Sequence, residues 1–224
     1  MTERLHGVVA MDGPSGTGKS TVSRRLATAA HAGYLDTGAM YRAVTLAVLR
    51  AGLAGTEPEA EPVALAAVED VTSTTDPSTP AILLGGADVG AEIRGPEVTG
   101  AVSAVAAVPA VRRHLVAQQR EIIAAWPRIV VEGRDIATVV APNADLKVYL
   151  TASSAARARR RSAEDATDEA ATRADLERRD RYDSSRAADP LQRAGDAVEV
   201  DTTGMGIDDV VARLLEMLNS RVNS

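Results

Sequence analysis

A glycine-rich segment close to the start of the chain, GPSGTGKS at residues 13–20, constrains the fold more than any other feature. It matches the pattern G-x-x-x-x-G-K-[ST], which requires a strand before it and a helix after it. The apolar run at 7–11 supplies the strand, and Val22, Leu26 and Ala29 follow at helical spacing. The segment therefore predicts an α/β protein that holds the phosphates of a nucleoside triphosphate.

The residue types in this loop suit triphosphate chemistry. Its glycines permit a backbone path in which successive N–H groups turn inward. Lys19 brings a compact positive charge to the β and γ phosphates, and the Ser20 hydroxyl is placed to ligate Mg²⁺. The expected ATP contacts are Gly13, Pro14, Ser15, Gly16, Thr17, Gly18, Lys19, Ser20 and Thr21. The loop leaves the phosphate acceptor open, because ATPases, GTPases and many kinases share it.

The composition of the chain disfavours several other classes of protein. A formal charge of -6 argues against broad binding to DNA or to an anionic membrane, and an aromatic content of 2% leaves few rings for stacking single-stranded bases. The lack of cysteine excludes disulfides and thiolate metal sites. No apolar run reaches the length of a membrane span, about 18 residues. We expect a cytoplasmic monomer that acts on small molecules, without nucleic acid or membrane partners.

Strand and helix patterns alternate along much of the chain. The candidate strands are residues 7–11, 34–35, 129–131, 146–150 and 198–200. Helical periodicity lies between several of them: Asp36 and Thr37 are placed to cap one helix, and Pro109 suits the first position of another. The alternation predicts a three-layer α/β/α fold around a central five-stranded parallel sheet, with ligands bound at the carboxyl ends of the strands.

The whole chain, residues 1–224, is expected to form a single domain with two additions to its core. The predicted core comprises residues 1–62, 97–153 and 183–224. Residues 63–96 lose the strand and helix alternation, and Gly85-Gly86 between apolar runs predicts a hairpin, so this segment is interpreted as an inserted subdomain. Residues 154–182 are too rich in Arg and acidic residues for a core. They are expected to project from the body as a helical lid.

Charged residues near the ends of predicted elements are candidates for an acceptor site. Arg134 and Asp135 follow an apolar run, where this fold places ligands, and a surface salt bridge is the alternative. Arg179, Asp183 and Arg186 would share one helix face, and a solvated charged helix is the alternative there. Five arginines together predict a local phosphate clamp in an acidic chain, and they are Arg42, Arg112, Arg134, Arg179 and Arg186.

Six longer segments carry a family resemblance: MDGPSGTGKST at 11–21, LDTGAMYR at 35–42, DVGAEIRGPEV at 88–98, VSAVAAVPAVR at 102–112, VEGRDIATVVAPNADLKVYLTAS at 131–153 and RDRYDSSRAADPL at 179–191. With them the sequence resembles the bacterial cytidylate kinases of the long type, which have an enlarged monophosphate-binding insert. The resemblance covers nearly the whole chain, and GRDIATVV and RDRYDSSR are its most specific parts. It implies transfer of the γ-phosphoryl group of MgATP to CMP or dCMP in pyrimidine nucleotide metabolism.

The resemblance also implies roles for single residues. It implies that the cytosine is contacted, or its recognition positioned, by Thr37, Ser103, Arg112 and Asp135. It also implies contacts with the monophosphate and the transferring phosphoryl group from Arg42, Arg134 and Arg186, and a place near the sugar for Arg179 and Asp183. The predicted catalytic residues are Lys19, Arg134 and Arg186. Many members have Ser where this chain has Thr37, which keeps the hydroxyl and adds a methyl group. In the lid, which matches the family only loosely, Arg157 has no acidic residue four positions on. It is therefore expected to meet ATP phosphate.

Two alternative functions remain open from the sequence. A kinase of another small acceptor, such as AMP, UMP or shikimate, would carry the same loop. A nucleotide-dependent switch or assembly ATPase would use the loop to bind a protein partner, and it would hydrolyse ATP slowly without any dependence on CMP. An acceptor panel distinguishes all three.

Overall fold

The structure is a computed structural model, and it describes residues 7–165 and 167–222. The strands are β1 (Gly7–Asp12), β2 (Gly33–Asp36), β3 (Val71–Ser73), β4 (Ile82–Leu84), β5 (Ala87–Asp88), β6 (Arg128–Glu132), β7 (Leu146–Thr151) and β8 (Val198–Asp201). The helices are α1 (Lys19–Ala29), α2 (Thr37–Arg50), α3 (Ala60–Val68), α4 (Pro96–Val105), α5 (Pro109–Ala124), α6 (Ser154–Asp165), α7 (Glu169–Ser185) and α8 (Ile207–Val222). A 3₁₀ turn, Glu92–Arg94, and a π-helical turn, Ile136–Val140, complete the regular structure of the described residues.

The central sheet has the strand order β2-β6-β1-β7-β8. β1 pairs in parallel with β6 on one side and β7 on the other, and β8 pairs in parallel with β7. Ala10 and Met11 of β1 and Val131 of β6 are fully buried, as expected of parallel strands covered on both faces. The predicted α/β fold with a five-stranded parallel sheet is confirmed.

The chain forms two compact units, one of residues up to Gly33 and from Pro127 onward, the other Tyr34–Trp126. In the first unit, α1 packs against β6 and α8. β1 runs into the 13–18 loop, β6 into Gly133, β7 into the segment before α6, and β8 into Thr202. Because the carboxyl ends of parallel strands meet at one edge of a sheet, these four segments converge there.

The second unit contains a small antiparallel sheet and the helices α2 to α5. The sheet has the order β3-β4-β5. Gly85 and Gly86 join β4 to β5 with φ values of 58° and 80°, the left-handed conformations that a two-residue hairpin turn requires. The predicted hairpin is confirmed. Pro96 and Pro109 stand in the first turn of α4 and α5, where a missing N–H costs nothing.

The predicted additions to the core map onto regular structure. The predicted insert, 63–96, lies within the second unit, and the predicted lid, 154–182, spans α6 and most of α7. Ala158 and Leu176 within this stretch are buried, and α6 packs against α7. That the stretch projects from the body as a lid stays a prediction. The buried Arg157 pairs with Asp180 and with the carbonyl oxygen of Ser15, which makes its burial tolerable. None of the described helices is both long enough and apolar enough to cross a membrane.

Candidate nucleotide-binding site

The loop after β1 has the backbone geometry of a phosphate cradle. Gly13, Gly16 and Gly18 have φ values of 141°, 78° and 89°, which other residues rarely adopt. A Cβ atom on Gly13 would lie 2.1 Å from the backbone oxygen of Leu150, so β7 leaves room for glycine alone. The N-terminus of α1 has no side-chain cap among the described residues. Its first N–H groups are therefore suited to an anion.

The two polar side chains at the end of this loop have defined partners. Lys19 Nζ donates a hydrogen bond to the carbonyl oxygen of Pro14 at 2.8 Å. Ser20 Oγ donates to Glu132 Oε2 at 3.0 Å. Glu132 is the buried last residue of β6 and was not among the residues predicted from the sequence. Glu132 could have been found from the sequence, because a carboxylate there follows an apolar run and comes directly before Gly-Arg-Asp.

A second cluster forms where the segment after β6 meets the end of α7. Arg134 Nη1 donates to the carbonyl oxygen of Gly13 at 2.7 Å, and Arg134 Nε lies 3.0 Å from Asp183 Oδ2. Asp135 Oδ2 lies 3.8 Å from Arg186 Nη2, with both side chains buried. Arg134 and Asp135 therefore pair with α7 and the residue after it, in place of the surface salt bridge that the sequence left open.

Arg179 lies in the same cluster, and its positive charge is the third beside two carboxylates. Burial, together with the charge of Arg134, lowers the pKa of Arg179 to about 10, and the charges of Asp183 and Asp175 oppose this fall. Arg179 remains charged at neutral pH. The cluster thus holds three buried or half-buried arginines against the two carboxylates of Asp135 and Asp183, and this excess of positive charge favours an anionic ligand.

Asp12 joins the phosphate loop to the Gly-Arg-Asp segment. Its side chain is 1% exposed and accepts hydrogen bonds from the N–H groups of Ile136 and Ala137, each at 2.8 Å. Burial, with a smaller contribution from the charge of Asp135, raises the pKa of Asp12 to about 6, although the two backbone hydrogen bonds oppose the rise. Asp12 also was not predicted. Its position as a polar residue ending a buried strand is the sequence pattern that could have indicated it.

The start of α6 lies against the phosphate loop. Arg157 Nη1 donates to the carbonyl oxygen of Ser15 at 3.1 Å and to Asp180 Oδ2 at 2.5 Å. Arg157 has no acidic residue four positions on in α6, as the sequence shows, and its acidic partner comes from α7. That Arg157 contacts ATP phosphate stays a prediction. Arg160 Nη1 donates to Thr202 Oγ1 at 3.0 Å.

The remaining predicted ATP contacts lie in the loop and in the first turn of α1. Thr17 is buried and its hydroxyl donates to the carbonyl oxygen of Pro14 at 3.1 Å. Thr202 Oγ1 donates to the carbonyl oxygen of Thr17 at 3.1 Å, which ties the loop to the end of β8. Thr21 is exposed on the first turn of α1. The structure thus brings together within the first unit all the predicted ATP contacts and the predicted residues from 134 to 186.

The other predicted acceptor residues lie in the second unit. Thr37 begins α2 and is buried, and Asp36 caps this helix by accepting from the N–H of Ala39 at 3.0 Å, as predicted. Arg42 Nη1 donates to the carbonyl oxygen of Ile93 and to Thr99 Oγ1, both at 2.9 Å.

Two further predicted residues follow on α4 and α5. Ser103 is partly buried on α4. Arg112 on α5 is buried, donates to the carbonyl oxygen of Ala106 at 3.2 Å, and stacks over the ring of Tyr41 with 5.4 Å from its guanidinium carbon to the ring centroid. The second unit therefore holds two arginines whose guanidinium groups are held by contacts with neighbouring residues.

Comparison with known proteins gives a consistent result over the full length. A family model described as Cytidylate kinase matches residues 9–220. A protein named cytidylate kinase from Rhodococcus jostii (strain RHA1) is 55% identical over 228 positions, which cover 97% of this chain and 96% of that protein. One of the same name from Nocardia farcinica (strain IFM 10152) is 56% identical over 231 positions, which cover 100% and 98%. A solved structure of an uncharacterized protein from Eubacterium ventriosum ATCC 27560 shares the fold, with a TM-score of 0.54 at 11% identity over 96% of this chain and 99% of that one.

Proposed function

The chain belongs to the cytidylate kinase family, and we propose that its first unit binds MgATP and that its arginines direct the γ-phosphoryl group to CMP or dCMP. As a member of this family it is an ATP-dependent phosphotransferase that gives ADP and CDP or dCDP. The match of residues 9–220 to the family model is the observation that carries this function. The residue roles below are supported by geometry within each unit.

The donor side would be built on the loop at residues 13–20. Inward-facing N–H groups of the loop and of α1 would bind the phosphates, and Lys19 would turn from its contact with Pro14 O to the β and γ phosphates. Ser20 Oγ and the neighbouring Glu132 carboxylate are oxygen ligands of the kind that Mg²⁺ prefers, so the residues present fit this ion. When bound, Mg²⁺ would neutralise charge on the β and γ phosphates.

The transfer itself needs positioning and positive charge more than proton chemistry. The attacking oxygen of CMP belongs to a phosphate and is already anionic, so no strong general base is required. Arg134, Arg179 and Arg186 hold a net positive cluster beside the loop, which suits the charge spread over the transferred group. We assign Lys19, Arg134 and Arg186 to catalysis, Arg42 to the monophosphate, and Arg179 with Asp183 to the sugar.

Recognition of cytosine would rest on polar groups. CMP and UMP differ at one exocyclic position, and a site that hydrogen-bonds one base rejects an analogue that leaves its polar groups unpaired. We propose that Asp135 and Arg112 contact the amine and the ring edge, with hydroxyls from Thr37 and Ser103. We also propose that the enzyme acts as a cytoplasmic monomer on free nucleotides, which suits a cysteine-free acidic chain.

An acceptor panel tests the function directly. ADP release from MgATP is measured by a coupled assay with CMP, dCMP, UMP, AMP, shikimate or buffer as acceptor. CMP and dCMP should give the highest kcat/KM, with UMP poorer, and Asp135→Ala should reduce the preference for CMP over UMP. An unchanged preference for CMP over UMP would refute the proposed contact of Asp135 with cytosine. The function fails if CMP is no better than AMP or buffer.

A further inference from the structure

One acidic side chain from α7 lies beside the phosphate loop without a role in the function just described. Asp180 Oδ2 lies 2.5 Å from Arg157 Nη1, and the two side chains are 20% and 9% exposed. We propose that Asp180 is a positioning residue that holds the Arg157 guanidinium at the loop for contact with a phosphate of ATP. This inference rests on the proposed function and concerns its ATP side alone.

The backbone of Arg157 is already fixed against the loop. A Cβ atom on Gly16 would lie 3.0 Å from the backbone oxygen of Arg157 and 3.1 Å from its Cβ, so the two segments touch. One turn further along α6, Arg160 Nη2 donates to the carbonyl oxygen of Thr202 at 2.5 Å. The first turn of α6 therefore has a fixed position relative to the loop, and the direction of the Arg157 side chain is what remains to be set.

The ion pair with Asp180 sets that direction. A free Arg side chain loses up to about 2 kcal/mol of rotamer entropy when it is ordered. Here Asp180 Oδ2 and the carbonyl oxygen of Ser15 share one nitrogen, Nη1, and thereby fix the plane of the guanidinium. A fixed guanidinium binds a phosphate with less entropic loss than a mobile one.

The same pair leaves hydrogen-bonding capacity for a ligand. Within the described part of the chain, Arg157 Nε and Asp180 Oδ1 are both buried and neither has a hydrogen-bond partner. Buried polar atoms without partners are costly, and in native structures they are often completed by a ligand or water. A phosphate oxygen is the acceptor that suits the Nε–H group of an arginine beside a triphosphate loop.

A competing account predicts the opposite sign. If Asp180 merely occupied Arg157 as a substitute anion until ATP arrived, its removal would free the guanidinium and strengthen ATP binding. The geometry favours positioning, because the contact with Asp180 uses the nitrogen that also bonds Ser15 and leaves Nε available.

Replacement of Asp180 by Asn separates these accounts. KM for ATP is measured at saturating CMP, KM for CMP at saturating ATP, and the Kd of ATP by calorimetry without CMP. We expect Asp180→Asn to raise the KM and Kd of ATP about 5- to 30-fold, as for loss of a charge-assisted hydrogen bond, with KM for CMP within about twofold. Asp180→Glu, which keeps a carboxylate, should recover part of the loss.

Two control variants distinguish positioning from general effects on α7. Glu169→Gln removes one negative charge from the same helix, where Glu169 pairs with exposed Arg173. Glu177→Gln removes the negative charge of Glu177, whose Oε1 accepts a hydrogen bond from Ser154 Oγ and so joins the same two helices. Both controls should keep the KM and Kd of ATP within about twofold of the wild type.

Three results would overturn the inference: an unchanged Kd of ATP in Asp180→Asn, a lower one, or an equal rise in Glu177→Gln. ATP binding is measured without an acceptor, so this outcome is separate from the acceptor panel. If the wild-type protein did not phosphorylate CMP, the proposed function would be refuted. The measurements of ATP binding would still decide the role of Asp180.

Discussion

At the scale of single residues, buried charge at the site is only partly compensated. Arg134 and Arg186 each have a carboxylate partner, and burial, with the charge of Arg134, lowers the pKa of Arg179 to about 10 although Asp183 opposes this. At the end of β1, the carboxylate of Asp12 is buried, and backbone N–H groups stabilise its negative charge more than cations do. Each group stores electrostatic free energy that a bound nucleotide or a proton can release.

Asp12 should therefore make stability depend on pH. Because the pKa of Asp12 is about 6 in the folded protein, above its ordinary value of 3.8, the folded state binds this proton more tightly than the unfolded state. The contribution of Asp12 to the free energy of unfolding is then greatest at low pH and falls as pH rises from about 4 to about 6. Urea unfolding of wild type and Asp12→Asn between pH 4 and pH 7 isolates it.

The difference in unfolding free energy, wild type minus Asp12→Asn, should fall by on the order of 3 kcal/mol across that range. Groups common to both proteins cancel, as does any constant cost of the Asn side chain. A difference independent of pH would show that burial does not perturb this carboxyl.

At the scale of elements, the packing of α6 on the phosphate loop is the contact that the sequence did not predict. Gly16 has a φ of 78°, and Arg157 of α6 approaches it closely. The absence of a side chain at this position therefore permits both the loop conformation and the packing of α6. We therefore expect a side chain at position 16 to disturb both the conformation of the loop and the position of α6.

Gly16→Ala tests this coupling. An alanine there would adopt a left-handed conformation at a cost of about 1–2 kcal/mol, and its methyl group would displace the backbone of Arg157. We expect KM for ATP to rise about tenfold or more, with a smaller change in KM for CMP. Gly195→Ala is the control, because a Cβ atom there meets nothing within 4 Å. An equal effect of both variants would contradict the proposed packing.

Local sequence patterns predicted much of the secondary structure of this molecule. They did not predict which residues distant in sequence form hydrogen bonds with each other. The five sheet strands and the Gly85-Gly86 hairpin follow from periodicity and turn chemistry over a few residues. By contrast, Asp12 meets Ile136 across 124 positions, and Arg157 meets Asp180 across 23. Those pairs depend on which segments the fold brings together. Composition also could not show that Arg157 of the predicted lid is buried and paired with Asp180.

At the scale of the whole molecule, an acidic chain holds two groups of buried or half-buried arginines in addition to its exposed ones. Its formal charge is -6, yet Arg134, Arg179 and Arg186 cluster in the first unit, and Arg42 and Arg112 are held in the second. This distribution repels polyanions in general and retains sites for small phosphates. It suits an enzyme with two nucleotide substrates.

Direct transfer of label tests the central claim. The wild-type protein is incubated with Mg²⁺, ATP labelled in its γ-phosphate, and CMP, and the products are separated by chromatography. The label should appear in CDP in step with ADP, and Arg186→Ala should slow it about a hundredfold or more, as loss of a phosphoryl-contacting arginine does. Release of the label as inorganic phosphate at one rate with or without CMP would contradict the assignment as a CMP kinase.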